Sequence, residues 1–256
     1  MIRLILRTFL LMTFTVAAGL WSISRAQQST TTLTGEWVGN SEPSGRSEFL
    51  RLSLTENAGE MLTPRKAKLT LVQLEGSRVR IELSSLKLVM TGTLAGDVIE
   101  GEADVPGIKA RFRLMRIVKV APETLARYVG AYRFRNGDYI VIDRFPNTQD
   151  TLWVSDVKSG QTRTIFPRSE TQFTGGPALY VPSPTRQTLT FRGDGVHVID
   201  LDHKSRQSGL FVTRTPIREE EVTFKNGDVT LSGTLLLPAA PPSSKVKRPA
   251  LVFVHG

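Results

Sequence analysis

Through most of this chain apolar and polar residues alternate with a period of two, the spacing of a half-buried β-strand rather than of a helix. In "FLRLSLT", Leu50, Leu52 and Leu54 share one face, and Phe49, Arg51 and Ser53 the other. "RVRIELS" sets Val79, Ile81 and Leu83 against Arg78, Arg80 and Glu82, and "KARFRLMR" sets Ala110, Phe112 and Leu114 against Lys109, Arg111 and Arg113. Turn signals separate these runs at Asn57-Ala58-Gly59, Glu75-Gly76-Ser77, Ala95-Gly96-Asp97 and Pro106-Gly107. Residues 33–118 therefore read as one antiparallel sandwich or small barrel.

"APETLARYVGAY" breaks the alternation. Pro122 suits a first helical turn, and Glu123 favours the positive end of the helix dipole, so a short helix is predicted over 122–128. Between Val129 and Thr213 strands resume in "AYRF", "DYIVIDRF", "TLWVSDV", "TRTIFPRS", "QFTG", "QTLTFRG" and "VHVIDL". Asn136-Gly137 predicts a type I′ hairpin with positive φ at both central residues, and Gly193-Asp194-Gly195 a second turn of that kind. Residues 122–215 form a second β module, with Trp153 expected in its core. After Pro216, "EEEVTFKNGDVTLSGTLLLP" reads as a hairpin turning at Asn226-Gly227, followed by the Pro/Ser/Lys-rich connection "AAPPSSKVKRP" and by "ALVFVHG".

The amino terminus has a different character. Arg3 and Arg7 precede the apolar run "TFLLMTFTVAAGLW", and Ser24 and Ala26 make a small-x-small pattern before Gln27. The run is shorter than the roughly 20 residues of a spanning helix. Residues 1–26 thus read as a secretory signal cleaved between Ala26 and Gln27, with a retained anchor as the alternative. Export to a bacterial periplasm or beyond follows, with no stable membrane span after cleavage. The chain has no Cys, which excludes disulfides and thiol chemistry. Its net charge is +9, of which Arg3, Arg7 and Arg25 contribute three, leaving +6 for the rest. Without a dense Lys/Arg run, that surplus is read as dispersed charge serving solubility.

"ALVFV" is apolar without alternation, the pattern of a strand covered on both faces in a parallel sheet. Either the chain is a truncated piece of a larger protein, or this run pairs with the upstream β units as an ordinary edge. The order hairpin, Pro-rich loop, "PALVFVHG" resembles the opening of an α/β-hydrolase domain, most closely that of exported bacterial serine hydrolases related to the prolyl-oligopeptidase and esterase families. In that family the third strand ends in a His-Gly element whose following backbone N–H groups help form the oxyanion hole. The resemblance places His255 and Gly256 in that element, and 219–256 as the start of a truncated α/β-hydrolase domain. "GEWVG" and "MTGTLAGDVIEGEADVPGIKARFRLMR" look like lipocalin-like modules that precede such hydrolases. "LARYVGAYRFRNGDYIVI" and the strands after it are similar to β modules attached to serine hydrolases and penicillin-recognising enzymes.

The fold class that follows is mainly β: two small antiparallel β-barrel or sandwich modules, then the first strands of an α/β-hydrolase. The implied parent enzyme cleaves a small ester or peptide substrate through Ser, His and Asp/Glu, without a cofactor. The catalytic residues themselves are absent here, since no serine has Gly at both flanking positions; Ser47 has Gly45 but Phe49. The rival reading is an exported β-barrel that binds a lipid or other hydrophobic ligand. Trp37 fits either a ligand-lining or a core-closing role.

Other groupings are weaker. In "HVIDLDH" a continuous strand puts His197 and His203 on one face and Asp200 and Asp202 on the other, so no metal site is expected. Arg111, Arg113 and Arg116 make a basic stripe, but Phe112 points away from it, which argues against nucleic acid. Lys245 to Arg248 read as a solvated loop.

Overall fold

The structure is a computed structural model that describes residues 32–144, 150–204, 209–215 and 217–238. It is mainly β, with one α-helix among the described residues. The proposed signal, the "KVKR" loop and "ALVFVHG" lie outside the described residues.

Nine strands form the first sheet: β1 (Gly35–Ser41), β2 (Glu48–Leu54), β3 (Gly59–Thr63), β4 (Ala67–Lys68), β5 (Leu71–Glu75), β6 (Arg78–Leu83), β7 (Leu88–Ala95), β8 (Val98–Val105) and β9 (Ile108–Ile117). Their order is β4-β3-β2-β1-β9-β8-β7-β6-β5, and every pairing is antiparallel. The sheet curls into a half-barrel, and the faces read from the alternation are the faces it buries. Leu50, Leu52, Leu54, Val79, Ile81, Leu83, Phe112 and Leu114 lie in one core with Trp37. Each such side chain contributes about 1.5–3 kcal/mol on burial. Glycine permits the curl where strands approach most closely. A Cβ on Gly101 would stand 2.0 Å from the Thr91 carbonyl oxygen, and one on Gly39 would stand 1.8 Å from that of Arg113.

Helix α1 (Pro122–Tyr128) occupies the predicted span, with Pro122 in its first turn and Arg127 in its last. It stoppers one end of an eight-stranded antiparallel barrel made of β10 (Gly130–Arg133), β11 (Tyr139–Arg144), β12 (Leu152–Asp156), β13 (Thr162–Pro167), β14 (Gln172–Gly175), β15 (Gln187–Arg192), β16 (Gly195–Asp200) and β17 (Leu210–Thr215). Leu125 is fully buried with the barrel core, and Tyr128 stacks on Phe191 with centroids 3.8 Å apart. Tyr132, Phe173, Leu189 and Val198 fill the interior, as expected for a small barrel.

Several expectations change. Strand β17 was not among the predicted strands, yet its pairing with β10 closes the barrel, from Ala131↔Thr215 to Arg133↔Thr213. Trp153 is not in the core: β12 buries Leu152, Val154 and Asp156, and Trp153 is only half-buried on the opposite face. Leu152 and Val154 supply an equally apolar inward pair, so local pattern left the facing undecided.

The Asn136-Gly137 turn is not type I′, because Asn136 lacks positive φ. Gly137 N–H bonds to the Phe134 carbonyl oxygen at 3.0 Å and Gly137 has φ 91°, the arrangement of a type I turn with a glycine bulge. At Gly193-Asp194 only the glycine has positive φ, the type II′ pattern.

The third element is a two-stranded sheet of its own, β18 (Ile217–Asn226) and β19 (Val229–Pro238). Its turn is Gly227-Asp228 rather than Asn226-Gly227, since Asn226 pairs with Val229.

Candidate functional site

The half-barrel and the barrel meet through the outer faces of β1 and β9. Val38, Met115 and Ile117 pack with Phe166 of β13, and Phe49 stacks on Phe166 at 5.8 Å. Polar links surround this contact: Arg168 donates to the Arg116 carbonyl oxygen at 2.7 Å, and Arg51 of β2 bridges Glu36 and Asp150.

Beside the contact lies a cleft of about 490 Å³. Its floor is the outer face of β1, β8 and β9, presenting Asn40, Glu100, Glu102, Arg111 and Arg113; Glu42, just past β1, and Ser183 and Pro184 of the barrel also line it. Those two belong to the tight connection between β14 and β15. There Tyr180 adopts φ 60°, and a Cβ on Gly176 would stand 1.8 Å from the Val181 carbonyl oxygen.

Asn40 is only 4% exposed, and its Oδ1 has no hydrogen-bond partner. Its Nδ2 lies 3.4 Å from Glu42 Oε1. A carboxylate only accepts, so the amide orientation is settled: nitrogen toward Glu42, oxygen unsatisfied. Such a buried orphan costs about 1–3 kcal/mol until it is partnered.

The basic stripe divides by face. Arg111 and Arg113 stand on the outer face, whereas Arg116 pairs across β1 with Trp37 on the inner face. On the outer face β8 and β9 align three acid–base rungs: Glu100 with Arg113, Glu102 with Arg111, and Asp104 with Lys109. The first rung is an ion pair and the third closes at 4.0 Å. The middle rung forms no ion pair among the described residues. Glu102 also borders a second depression of about 370 Å³, lined by Lys87, Thr91, Asp104 and Lys109 among others.

A second polar cluster sits at the barrel mouth opposite α1. Asp200 points inward, 2% exposed; it accepts from Gln187 Nε2 at 2.9 Å and lies 3.7 Å from the buried Arg163 Nη1. Strand β16 ends at Asp200, so the chain folds back and the alternation expected for "HVIDLDH" stops there. Asp202 joins Arg163 and Arg186, and His203 turns to within 3.8 Å of Asp156 instead of sharing a face with His197. Among the described residues no group of three or more metal-ligating side chains converges. The cluster ties the strand ends together, while Arg163 Nη1, Gln187 Oε1 and His203 Nε2 have no hydrogen-bond partner among the described residues.

Trp37 closes the half-barrel core: it is fully buried and donates from Nε1 to the Leu33 carbonyl oxygen at 2.8 Å. His255, Gly256, Ala26 and Gln27 lie outside the described residues. Sequence reasoning missed Asn40 and Ser183, which are far apart in the chain and line one cleft only once the strands have folded. No helix among the described residues is long and apolar enough to cross a membrane. Comparisons with protein-family models, with curated proteins and with solved structures find no match.

Proposed function

We propose that this chain supplies the β-rich N-terminal portion of an exported serine hydrolase, with β18 and β19 as the opening hairpin of its catalytic sheet. The observation that carries the reading is the uneven hairpin. Register puts Val222 opposite Gly233 and Phe224 opposite Leu231 on one face, which also carries Val229 opposite Asn226 and Leu235 opposite Glu220. Phe224 is 55% exposed, Val229 58%, Leu231 39% and Leu235 41%. The other face pairs Thr223 with Ser232 and Glu221 with Thr234. A lone two-stranded ladder is marginal in water, and an apolar sheet face gains stability when a helix or another sheet covers it. The Pro-rich loop and "ALVFVHG" follow this hairpin in the order found in α/β-hydrolases.

In this reading the nucleophilic Ser, the His base and its acidic partner come from sequence other than these 256 residues. Backbone N–H groups after His255 and Gly256 stabilise the oxyanion of a small ester or peptide substrate. The two β units flank the catalytic domain without taking part in bond cleavage. A barrel that stores a hydrophobic ligand has less support, because side chains such as Trp37, Tyr132 and Phe173 occupy the interiors.

The test is labelling by a fluorophosphonate probe. The purified chain is expected to remain unlabelled, and the product of the uninterrupted gene to label on a serine flanked by glycines. A coding sequence that stops at Gly256, or labelling of this chain itself, overturns the proposal.

A further inference from the structure

We infer that Asn226-Gly227, at the tip of the β18–β19 hairpin, is a site of spontaneous deamidation, and that the fold protects the chain's other Asn-Gly pair, Asn136-Gly137. The inference does not rest on the hydrolase reading. Water is the only co-reactant the step needs. The backbone nitrogen of the glycine attacks the side-chain amide carbon of the preceding asparagine. A new C–N bond forms, the bond from that carbon to Nδ2 breaks, and the proton lost by the glycine nitrogen leaves with Nδ2 as ammonia. Water then adds to either carbonyl carbon of the resulting succinimide and opens the ring, giving an aspartyl or an isoaspartyl residue. Glycine favours the attack because it has no Cβ to crowd the chain at the reacting nitrogen.

The same dipeptide meets two different surroundings. At Asn136-Gly137 both reacting groups are committed. The Gly137 N–H donates to the Phe134 carbonyl oxygen at 3.0 Å. The Asn136 amide is held at both ends by Asp138: Oδ1 accepts from the Asp138 N–H at 3.1 Å, and Nδ2 donates to Asp138 Oδ2 at 2.9 Å. Attack requires all of these bonds to be given up, in a turn whose flanking strands β10 and β11 belong to a closed barrel.

At the hairpin tip the restraints are missing. Asn226 pairs with Val229, so the two-residue turn leaves the Gly227 N–H outside the ladder, and it makes no hydrogen bond among the described residues. Gly227 is exposed, has φ 63°, and has nothing within 4 Å of the position a Cβ would take. The hairpin is a two-stranded sheet of its own, and such a ladder opens locally at little cost. Either product adds a negative charge beside Asp228, and the isoaspartyl link adds a carbon to the backbone within the closing pair. Because the register that sets Phe224 opposite Leu231 runs from that pair, modification loosens the apolar face.

Peptide mapping by mass spectrometry of the purified full chain, aged in mildly alkaline buffer, tests the inference, with isoaspartate located by electron-transfer fragmentation. Each site is compared with itself in the guanidinium-denatured chain, where neither dipeptide is restrained. Folding is expected to slow Asn136 at least about tenfold more than Asn226, since more than one ordinary hydrogen bond must break before Asn136 reacts. Isoaspartate is expected at residue 226 of the folded chain. A smaller difference between the two sites, or loss of the reaction at Asn226 on folding, overturns the inference.

Discussion

Arg116 lies over the indole of Trp37 across the β1–β9 ladder, its guanidinium carbon 4.4 Å from the ring centroid. The same guanidinium donates to the carbonyl oxygens of Thr32 and Thr34 and bonds Asp97 at 2.9 Å. One side chain thus covers the core tryptophan and ties the segment before β1 to the last strand of the sheet.

Arg116→Ala is expected to lower stability by roughly 2–3 kcal/mol, combining a desolvated cation–π contact with lost charge-assisted hydrogen bonds. Arg116→Lys recovers less than half, because an ammonium lacks the planar fork. Arg111→Ala, on the exposed outer face, stays within about 0.5 kcal/mol of the parent. Urea denaturation followed by tryptophan fluorescence distinguishes the three.

Gly101→Ala is expected to cost about 3 kcal/mol or more, because the new methyl meets backbone rather than a movable side chain. Gly76→Ala is the contrast. Its φ of 61° strains an alanine by about 1–2 kcal/mol, but nothing lies within 4 Å of the added carbon. Equal losses in a chemical melt would show that close strand approach is not what requires glycine at 101.

Asp150 feels two opposed influences. Burial pushes its carboxyl up, but the hydrogen bond and charge of Arg51 outweigh that and hold it below its ordinary value. Because the folded state binds this proton less readily than the unfolded one, the pair adds stability above the unfolded pKa of about 3.9. That contribution is lost as pH falls through the lower folded value. Asp150→Asn should therefore be less stable at neutral pH, by at most about 1 kcal/mol since the carboxylate is 43% exposed and screened. Thermal midpoints of parent and variant should converge in acid; a gap that persists there contradicts the assignment.

Tyr132 gives a pH dependence at the alkaline end. Burial is the main cause that pushes its phenol up to about 12 from 10.0, and its OH donates to the Tyr128 carbonyl oxygen at 2.8 Å. Between those two values the unfolded chain releases this proton while the folded chain keeps it, so stability falls as pH rises. Tyr132→Phe is expected to flatten that slope while costing about 1 kcal/mol at neutral pH for the lost bond. Denaturation midpoints from pH 8 upward, paired with phenolate absorbance, check both halves.

The inward faces of β2, β6 and β9 were legible because alternation is a property of the extended chain itself: every second side chain points the same way whatever the neighbouring strand. Helix α1 was legible for a similar reason, since Pro122 and Glu123 act within one turn. Where two facings were equally apolar, as at Leu152-Trp153-Val154, the local pattern had no preference, and packing inside the barrel chose Leu152 and Val154. Strand β17 was missed because it acquires its role only by pairing with β10 at the far end of the module. The hydrolase resemblance, carried by His255 and Gly256, rests on sequence alone.

By itself, then, the sequence determined the period of two, the positions of most turns and the side chains able to fill a core, since those depend on neighbours a few bonds away. Tertiary structure decided the closure of the barrel, the burial of Arg163 with Asp200, and the cleft where Asn40 meets Ser183. Each of these joins residues brought together only when strands pair and units pack, and the Coulomb and hydrogen-bonding terms that fix them vanish over the distances of an extended chain.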